Sequence, residues 1–373
     1  MSHSSFQRIR SIDYLRGLTI CFMIIVSMPG NYDTTFPALK HALWHGFTPT
    51  DLVFPSFIFV SGNAIFIAAK KHHNNDLDHL WLTLKRAMII FLFGVALYWF
   101  PFFKVIDGTI QLSPISQIRI LGVLQRIAIC YFLTAILVRH LNSSRLIWLS
   151  GILLISYWIL LYLLPHGKDP LSIHDNAVRY LDLKLLGENH LYQGEGFPFD
   201  PEGLLSTIPA LVNCLAGFLS MKFLADRQYS FESLLQLCLA ACLLFFIAYM
   251  WNYLLPINKK LWTGSFSLLT ISLDFFILSA LVYLLEIKKY DLGSSFFTVF
   301  GKNPLTIYLL FEMLGTILYL IPVNDNHAYG WIYITIFSYA GGYAGSFLFA
   351  VSFMLLCWLV AKFLDKQKWY LHV

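Results

Sequence analysis

The chain has 373 residues, 58% of them hydrophobic and 13% charged, with a formal net charge of +5. That ratio excludes a single soluble core under a normal polar surface and predicts an all-α, polytopic membrane protein. Positive charge on such a chain reports topology, so no nucleic-acid partner is expected and the lipid bilayer is the expected surrounding.

About 20 apolar residues span a hydrocarbon core. In chain order, ten segments qualify: 14–30, 51–69, 83–103, 120–138, 146–164, 203–223, 233–254, 263–285, 300–322 and 336–362. The last is long enough to tilt or break, and it contains Gly341, Gly342 and Gly345, small residues that permit close contact or a kink. Residues 1–373 are read as one transmembrane domain without tandem repeats. The first apolar segment has no cleavage pattern after it and is expected to stay as a helix. With the N-terminus inside, Lys and Arg concentrate in the inner loops and tails, among them Arg8, Arg10, Lys70, Lys71, Arg139, Arg145, Lys222, Arg227, Lys288 and Lys289. The positive-inside rule then places both termini in the cytoplasm. The six cysteines fall in the spans and read as small apolar filler. The longest polar stretch, about 165 to 202, is expected to be an outer lid or a connector, with Asp200, Pro201 and Glu202 opening the next helix.

Polar residues inside the spans need partners. Asp13 and Arg16 lie one helical turn apart, as an ion pair or as a handle for phosphate. Gln125 and Arg126 have apolar neighbours on both sides, and Arg119, two turns earlier, is expected on the same helix face. Asn213 and Asn252 read as interhelical glue. Asp274 must pair or stay protonated, with Arg126 or Lys302 able to answer it. Lys302 and Asn303 complete the set.

The densest cluster is the block from His41 to Gly62, HALWHGFTPTDLVFPSFIFVSG. His41, Trp44, His45 and Asp51 sit beside Asn31 and Asp33, directly before an apolar run. An imidazole with pKa near about 6.5 can accept a proton at neutral pH, and a carboxylate can hold its tautomer, so His41 reads as a base and Asp51 as its partner or as a helix cap. His45 divides between substrate contact and structure, and Trp44 between membrane-interface anchor and sugar-stacking platform. HxxxH alone does not make a zinc site, so no metal is expected.

SIDYLRGLTI, KHALWHGFTPTDLVFPSFIFVSG, GVLQRIAI, FDPEGLLSTIPA, NKKLWTGSFSLLT and GKNPLTIYLL together resemble the heparan-α-glucosaminide N-acetyltransferase family and its bacterial relatives, in the same order and over nearly the whole chain. The resemblance implies transfer of an acetyl group from cytosolic acetyl-CoA, as co-substrate, to the amine of a terminal glucosamine on the far side of the membrane. It maps the family's histidine onto His41 and its carboxylate onto Asp51. The family's asparagine near the outer end of the first helix maps onto Ser27, with Asn31 four residues later, and its Trp-Asn-Gly reads Trp44-His45-Gly46. Heparan sulfate itself is not implied. A shorter echo, Asp13-Tyr14-Leu15-Arg16-Gly17, reaches the wider transmembrane acyltransferase superfamily and keeps O-acetylation of an envelope glycan open.

The resulting expectation is an acetyltransferase of a bacterial inner membrane that takes acetyl-CoA from inside and an amino sugar or glycan from outside. His41 and Asp51 are the catalytic candidates, by direct base catalysis or through an acetyl-histidine. Trp44, His45, Asn31 and Ser27 are the acceptor candidates, with Asn31 or His45 as oxyanion donor. Arg16, Arg126, Asp13, Gln125, Lys302 and Asn303 are the coenzyme candidates. A homodimer stays open. The rival from another class is a secondary transporter for a small polar solute, with Asp274, Arg126 and Lys302 gathered near the midplane.

Overall fold

The computed structural model describes residues 9–71, 76–106, 109–164, 167–291 and 293–371; Arg8 and the side chains of Lys70 and Lys71 lie outside that description. The apolar runs become helices because straight-chain and apolar residues satisfy their own backbone within the bilayer. They are α1 (Arg10–Ser27), α2 (Val53–Lys71), α3 (Asp76–Trp99), α4 (Val123–His140), α5 (Ser143–Leu163), a short α6 (Ala177–Leu186), α7 (Thr207–Asp226), α8 (Phe231–Trp251) and α9 (Gly264–Val282). After them come α10 (Ser294–Lys302), α11 (Pro304–Leu320), α12 (Ala328–Ile332) and α13 (Gly342–Lys366). Among the described residues, eight helices are long and apolar enough to cross a membrane, and α10 with α11 makes a bent ninth. The 18-residue α1 runs beside them with Arg10, Asp13 and Arg16 in its first turns. The chain is an all-α polytopic membrane protein.

Alternate loops gather at opposite ends. Trp44 Nε1 donates to the Leu171 carbonyl at 2.8 Å, Arg119 pairs with Asp200, and Lys260 pairs with Glu195, so the loops after α1, α3, α5 and α8 share one end. At the other end Arg10 donates to Ser294 and the Asn303 amide donates to the Trp369 carbonyl at 2.8 Å, which brings both chain ends together there.

Two pairs of glycines let helix backbones touch. A Cβ on Gly62 would lie 2.0 Å from the Cys214 carbonyl oxygen, and one on Gly217 would lie 1.9 Å from that of Phe59, which locks α2 to α7. Gly17 and Gly301 do the same for α1 and α10, at 1.8 and 2.0 Å from the Phe297 and Asp13 oxygens. The first pair fixes the helix that carries Asp51 at its mouth, and the second fixes Arg16. Asn213 ties this framework together, donating to Thr270 at 2.9 Å and accepting from Trp262 Nε1 at 3.1 Å.

The structure departs from the expected elements in four places. The span expected over 300–322 is broken, with α10 and α11 meeting at 84°. Pro304 has no N–H and pushes Asn303 out of the helical region, to φ −130°, so α11 starts afresh with proline at its first position. The span expected over 336–362 starts only at Gly342, because Gly341 takes φ +88° and ends the preceding turn. The polar stretch expected as a loop contains α6, opened by Asn176, whose side chain accepts from the Arg179 amide at 2.9 Å. A small hairpin, β1 (Phe103–Ile106) with β2 (Thr109–Leu112), also stands outside the expected helices.

Candidate active site

The chain leaving α1 turns back over the bundle and re-enters at a short helical turn, Pro49–Leu52, that leads into α2. Asp51 is the third residue of that turn and is fully buried. Its Oδ2 accepts the backbone N–H of Thr48 at 2.9 Å and of Ala42 at 3.2 Å, and the Thr48 hydroxyl at 3.1 Å. Its Oδ1 lies 2.7 Å from His41 Nδ1. A carboxylate can only accept, so Nδ1 carries the proton and Nε2 keeps its lone pair. The side chain of His41 is 43% exposed, onto a chamber of about 170 Å³.

That chamber is polar. His41, Ser27 and Thr50 line it with Glu202, Lys259, Tyr308 and Glu312. Lys259 comes from the loop between α8 and α9, and its Nζ lies 3.0 Å from both His41 ring nitrogens. The loop is pinned: Asn252 Oδ1 accepts from the Ile257 amide at 2.8 Å, Asn258 Oδ1 from Leu261 at 2.8 Å, and the Gly46 amide donates to the Ile257 carbonyl at 2.8 Å. Burial pushes the His41 imidazole below its usual value and the Lys259 ammonium acts in the same direction, against the hydrogen bond to Asp51. Burial also lowers Lys259, against the attraction of Asp51 and Glu202. Behind the chamber, Arg119 holds Asp200 at 2.7 Å and Glu202 at 2.5 Å, and stacks near Tyr98 and Tyr192. Among the described residues, Glu312 has no cation within salt-bridge distance.

An apolar slot of about 230 Å³ shares Val26, Thr50 and Val53 with the chamber and runs along α1 as far as Leu15, between α1, α2 and Ile277 of α9. Arg16 follows Leu15 in α1 without lining the slot, 3.6 Å from Asp13 and donating to the Gly301 carbonyl at 3.1 Å. A larger apolar concavity of about 720 Å³ opens between α5, α7, α8 and α9, well away from these groups. The small polar chamber is the candidate site because titratable groups converge there.

The structure brings together His41, Asp51 and Ser27. Asn31 and His45 lie outside the chamber lining: the Asn31 side chain accepts from the Asp33 amide at 2.9 Å, and His45 meets Asn258 at 3.3 Å. Trp44 ties down the segment after α5 through Leu171 and Phe199. Arg126 and Arg16 are at opposite ends of the bundle. Arg126 is buried near the chamber, donating to the Gly203 carbonyl and Ser206 and stacking 4.9 Å from the Trp262 ring, with Gln125 buried beside it. Arg119 precedes α4, so it shares no helix face with Arg126. Asp200 and Glu202 serve Arg119, and α7 starts later, at Thr207. Lys302 pairs with Asp365 at 2.7 Å and Asn303 accepts from the Leu371 amide at 3.2 Å, so the first holds the end of α13 and the second the C-terminal tail. Asp274 meets neither Arg126 nor Lys302, and accepts from Ser56 at 2.5 Å. Asn252 closes its own loop and bridges no helices. The sequence analysis does not single out Lys259, Tyr308 or Glu312 as site residues; NKKLWTG enters it as a motif alone, and of the three only Glu312 carries a signal, as a carboxylate inside an apolar run. No group of three or more metal-binding side chains occurs among the described residues.

The family description "Heparan-alpha-glucosaminide N-acetyltransferase, catalytic" matches residues 8–177, which carry Ser27, His41 and Asp51. The heparan-alpha-glucosaminide N-acetyltransferase of Mus musculus is 30% identical over 367 residues, covering 83% of this chain and 54% of its own. That of Homo sapiens is 28% identical over 380 residues, covering 86% and 55%. The chain thus spans about half the length of these curated relatives. The similarity runs past residue 177 and so includes the stretches that supply Glu202, Lys259 and Glu312, and the chain is similar to heparan-alpha-glucosaminide N-acetyltransferases over most of its own length.

Proposed function

We propose that the protein transfers an acetyl group from acetyl-CoA to the amine of an amino sugar or of a glucosamine-bearing glycan, in the chamber beside His41. The observation that carries this reading is the His41–Asp51 pair opening on a polar chamber, next to an apolar slot that shares lining residues with it and runs along α1 as far as Leu15, the residue before Arg16. The slot suits the thin pantetheine arm, and Arg16 suits the phosphates of the coenzyme. The amine nitrogen attacks the thioester carbonyl carbon and forms the C–N bond while the carbonyl pair moves onto oxygen. His41 Nε2 takes a proton from that nitrogen. When the carbonyl re-forms, the C–S bond breaks and the departing thiolate takes the proton from His41. Asp51 holds the ring and offsets its charge in between.

The sidedness follows from the charge distribution of the loops: with both termini in the cytoplasm, the chamber faces outward and the acceptor arrives from outside, as in a bacterial inner membrane. Glu202 and Glu312 line the chamber and offer acceptor oxygens to the N–H groups of an amine. The transporter alternative loses support because Asp274, Arg126 and Lys302 each have separate local partners.

The test is release of free CoA from acetyl-CoA by the purified protein in lipid nanodiscs, with mass analysis of the acceptor. Glucosamine should accelerate release and gain one acetyl group on nitrogen. Release independent of any acceptor, or acetylation on oxygen alone, would overturn the reading.

A further inference from the structure

Both residues expected from the sequence to donate to an oxyanion, Asn31 and His45, lie outside the chamber lining. The transfer nevertheless develops negative charge on the thioester oxygen close to the nitrogen that His41 deprotonates. A donor within reach of Nε2 is therefore needed, and such donors are often the largest single contribution to acyl transfer. Lys259 is the lining residue with a cationic donor there, 3.0 Å from Nε2.

From this placement we propose that Lys259 is a catalytic residue of the acetyl transfer: its ammonium swings from the His41 ring to the thioester oxygen and stabilises the oxyanion. The inference rests on the acetyl-transfer reading above. In the resting protein the Lys259 ammonium lies 3.0 Å from both ring nitrogens, against the imidazole face, which leaves the in-plane Nε2 lone pair open to the amine. The incoming amine meets that lone pair, and an N–H of the ammonium turns from the ring to the carbonyl. As the carbonyl pair moves onto oxygen the ammonium pairs with it; as the pair returns and the C–S bond breaks, the ammonium is set free. Lys259 keeps its proton throughout, so the proton balance is carried by His41 alone.

Two features fit this role better than a purely structural one. The loop is held by Asn252, Asn258 and the Gly46 contact through backbone groups, so the Lys259 side chain is not needed to hold it. The charged surroundings also keep the ammonium inside the chamber: Asp51 at the mouth of α2 and Glu202 before α7 attract it, while Lys260 and Arg126 repel it. Glu312 of α11 faces the same space. The ammonium in turn opposes protonation of His41, so its removal should be visible in the titration of that ring.

The test compares wild type with Lys259→Gln and Lys259→Arg in nanodiscs, measuring kcat, KM for both substrates and the pH profile of kcat/KM. Lys259→Gln should lose about 100- to 1,000-fold in kcat. Both KM values should stay within about threefold, and the acidic limb should move up toward about 6.5. Lys259→Arg, which keeps the charge, should recover at least about a tenth of wild-type kcat. The His41 ring, followed by NMR without turnover, should titrate higher in Lys259→Gln. Retention of more than about a fifth of wild-type kcat by Lys259→Gln, an unmoved His41 titration, or a rise in KM as large as the fall in kcat would each overturn the proposal while leaving the transfer reading standing. Wild type that releases no CoA on addition of an amine would overturn both. Should Lys259→Gln fail to fold, Lys259→Arg decides: activity below about a hundredth with normal melting sinks the proposal.

Discussion

A histidine works as a base at neutral pH when it is uncharged, held in one orientation and left with one nitrogen free, and the neighbours of His41 supply each condition separately. Burial and Lys259 disfavour its charged form. Asp51, anchored by two backbone N–H groups and the Thr48 hydroxyl, fixes the ring through Nδ1. His41→Ala should therefore lose about 100- to 10,000-fold in transfer while acetyl-CoA binding, measured by calorimetry, stays near wild type; more than about a third of wild-type turnover would remove His41 from the role. Asp51→Asn separates charge from shape. Asparagine still accepts from the turn, and such a cap is worth about 1 kcal/mol, so the melting temperature should stay within a few degrees. Stabilising the imidazolium needs the negative charge, so most of the rate should go. Normal melting with an unchanged rate would reduce Asp51 to a cap.

The elements around the chamber explain which parts of the site the sequence could reveal. His41 and Asp51 lie in one block, ten residues apart, and local spacing was enough to bring them together. Lys259 and Glu312 reach the chamber from a loop and a helix more than two hundred residues further on, and only the packing of α9 and α11 against α1 and α2 makes them neighbours. Apolar continuity likewise concealed the break at Asn303–Pro304, although the proline was there to be read. The segment after α5 was legible as polar but the helix α6 inside it was not, because α6 is held by contacts from beyond it, such as Asp182 Oδ1 accepting from the Leu204 amide at 3.0 Å. Burial pushes the Asp182 carboxyl up to about 7. The folded protein thus holds this proton while an unfolded chain releases it near about 3.9, and stability falls as pH rises between those values. Asp182→Asn keeps the acceptor and removes the charge, so its melting temperature should exceed that of wild type at pH 8 and converge with it near pH 4. Parallel pH profiles for the two proteins would place the Asp182 charge in a better solvated setting than this one.

At the scale of the whole molecule, the two ends of the bundle hold different chemistry, and the apolar slot along α1 runs from beside the chamber as far as Leu15. Arg16 is fixed at the far end because the Gly17–Gly301 contact clamps α1 onto α10, and its guanidinium is shared between Asp13 and the Gly301 carbonyl. Arg126, the other arginine expected to meet the coenzyme, is enclosed near the chamber by Gly203, Ser206 and Trp262. A donor entering from the end that carries the termini meets Arg16 first, so losing that charge should weaken the donor and spare the acceptor. A hydrogen bond to a charged group is worth about 1.5 to 3 kcal/mol, and about 1.4 kcal/mol is tenfold in affinity. Arg16→Gln should then raise KM for acetyl-CoA about tenfold or more, with KM for the amine within about twofold. Added salt should raise KM for acetyl-CoA in wild type and do so less in the variant, because screening acts on a charge the variant lacks. An equal rise in both KM values would mean that the substitution disturbs α1 as a whole, and would move the donor's phosphates away from Arg16.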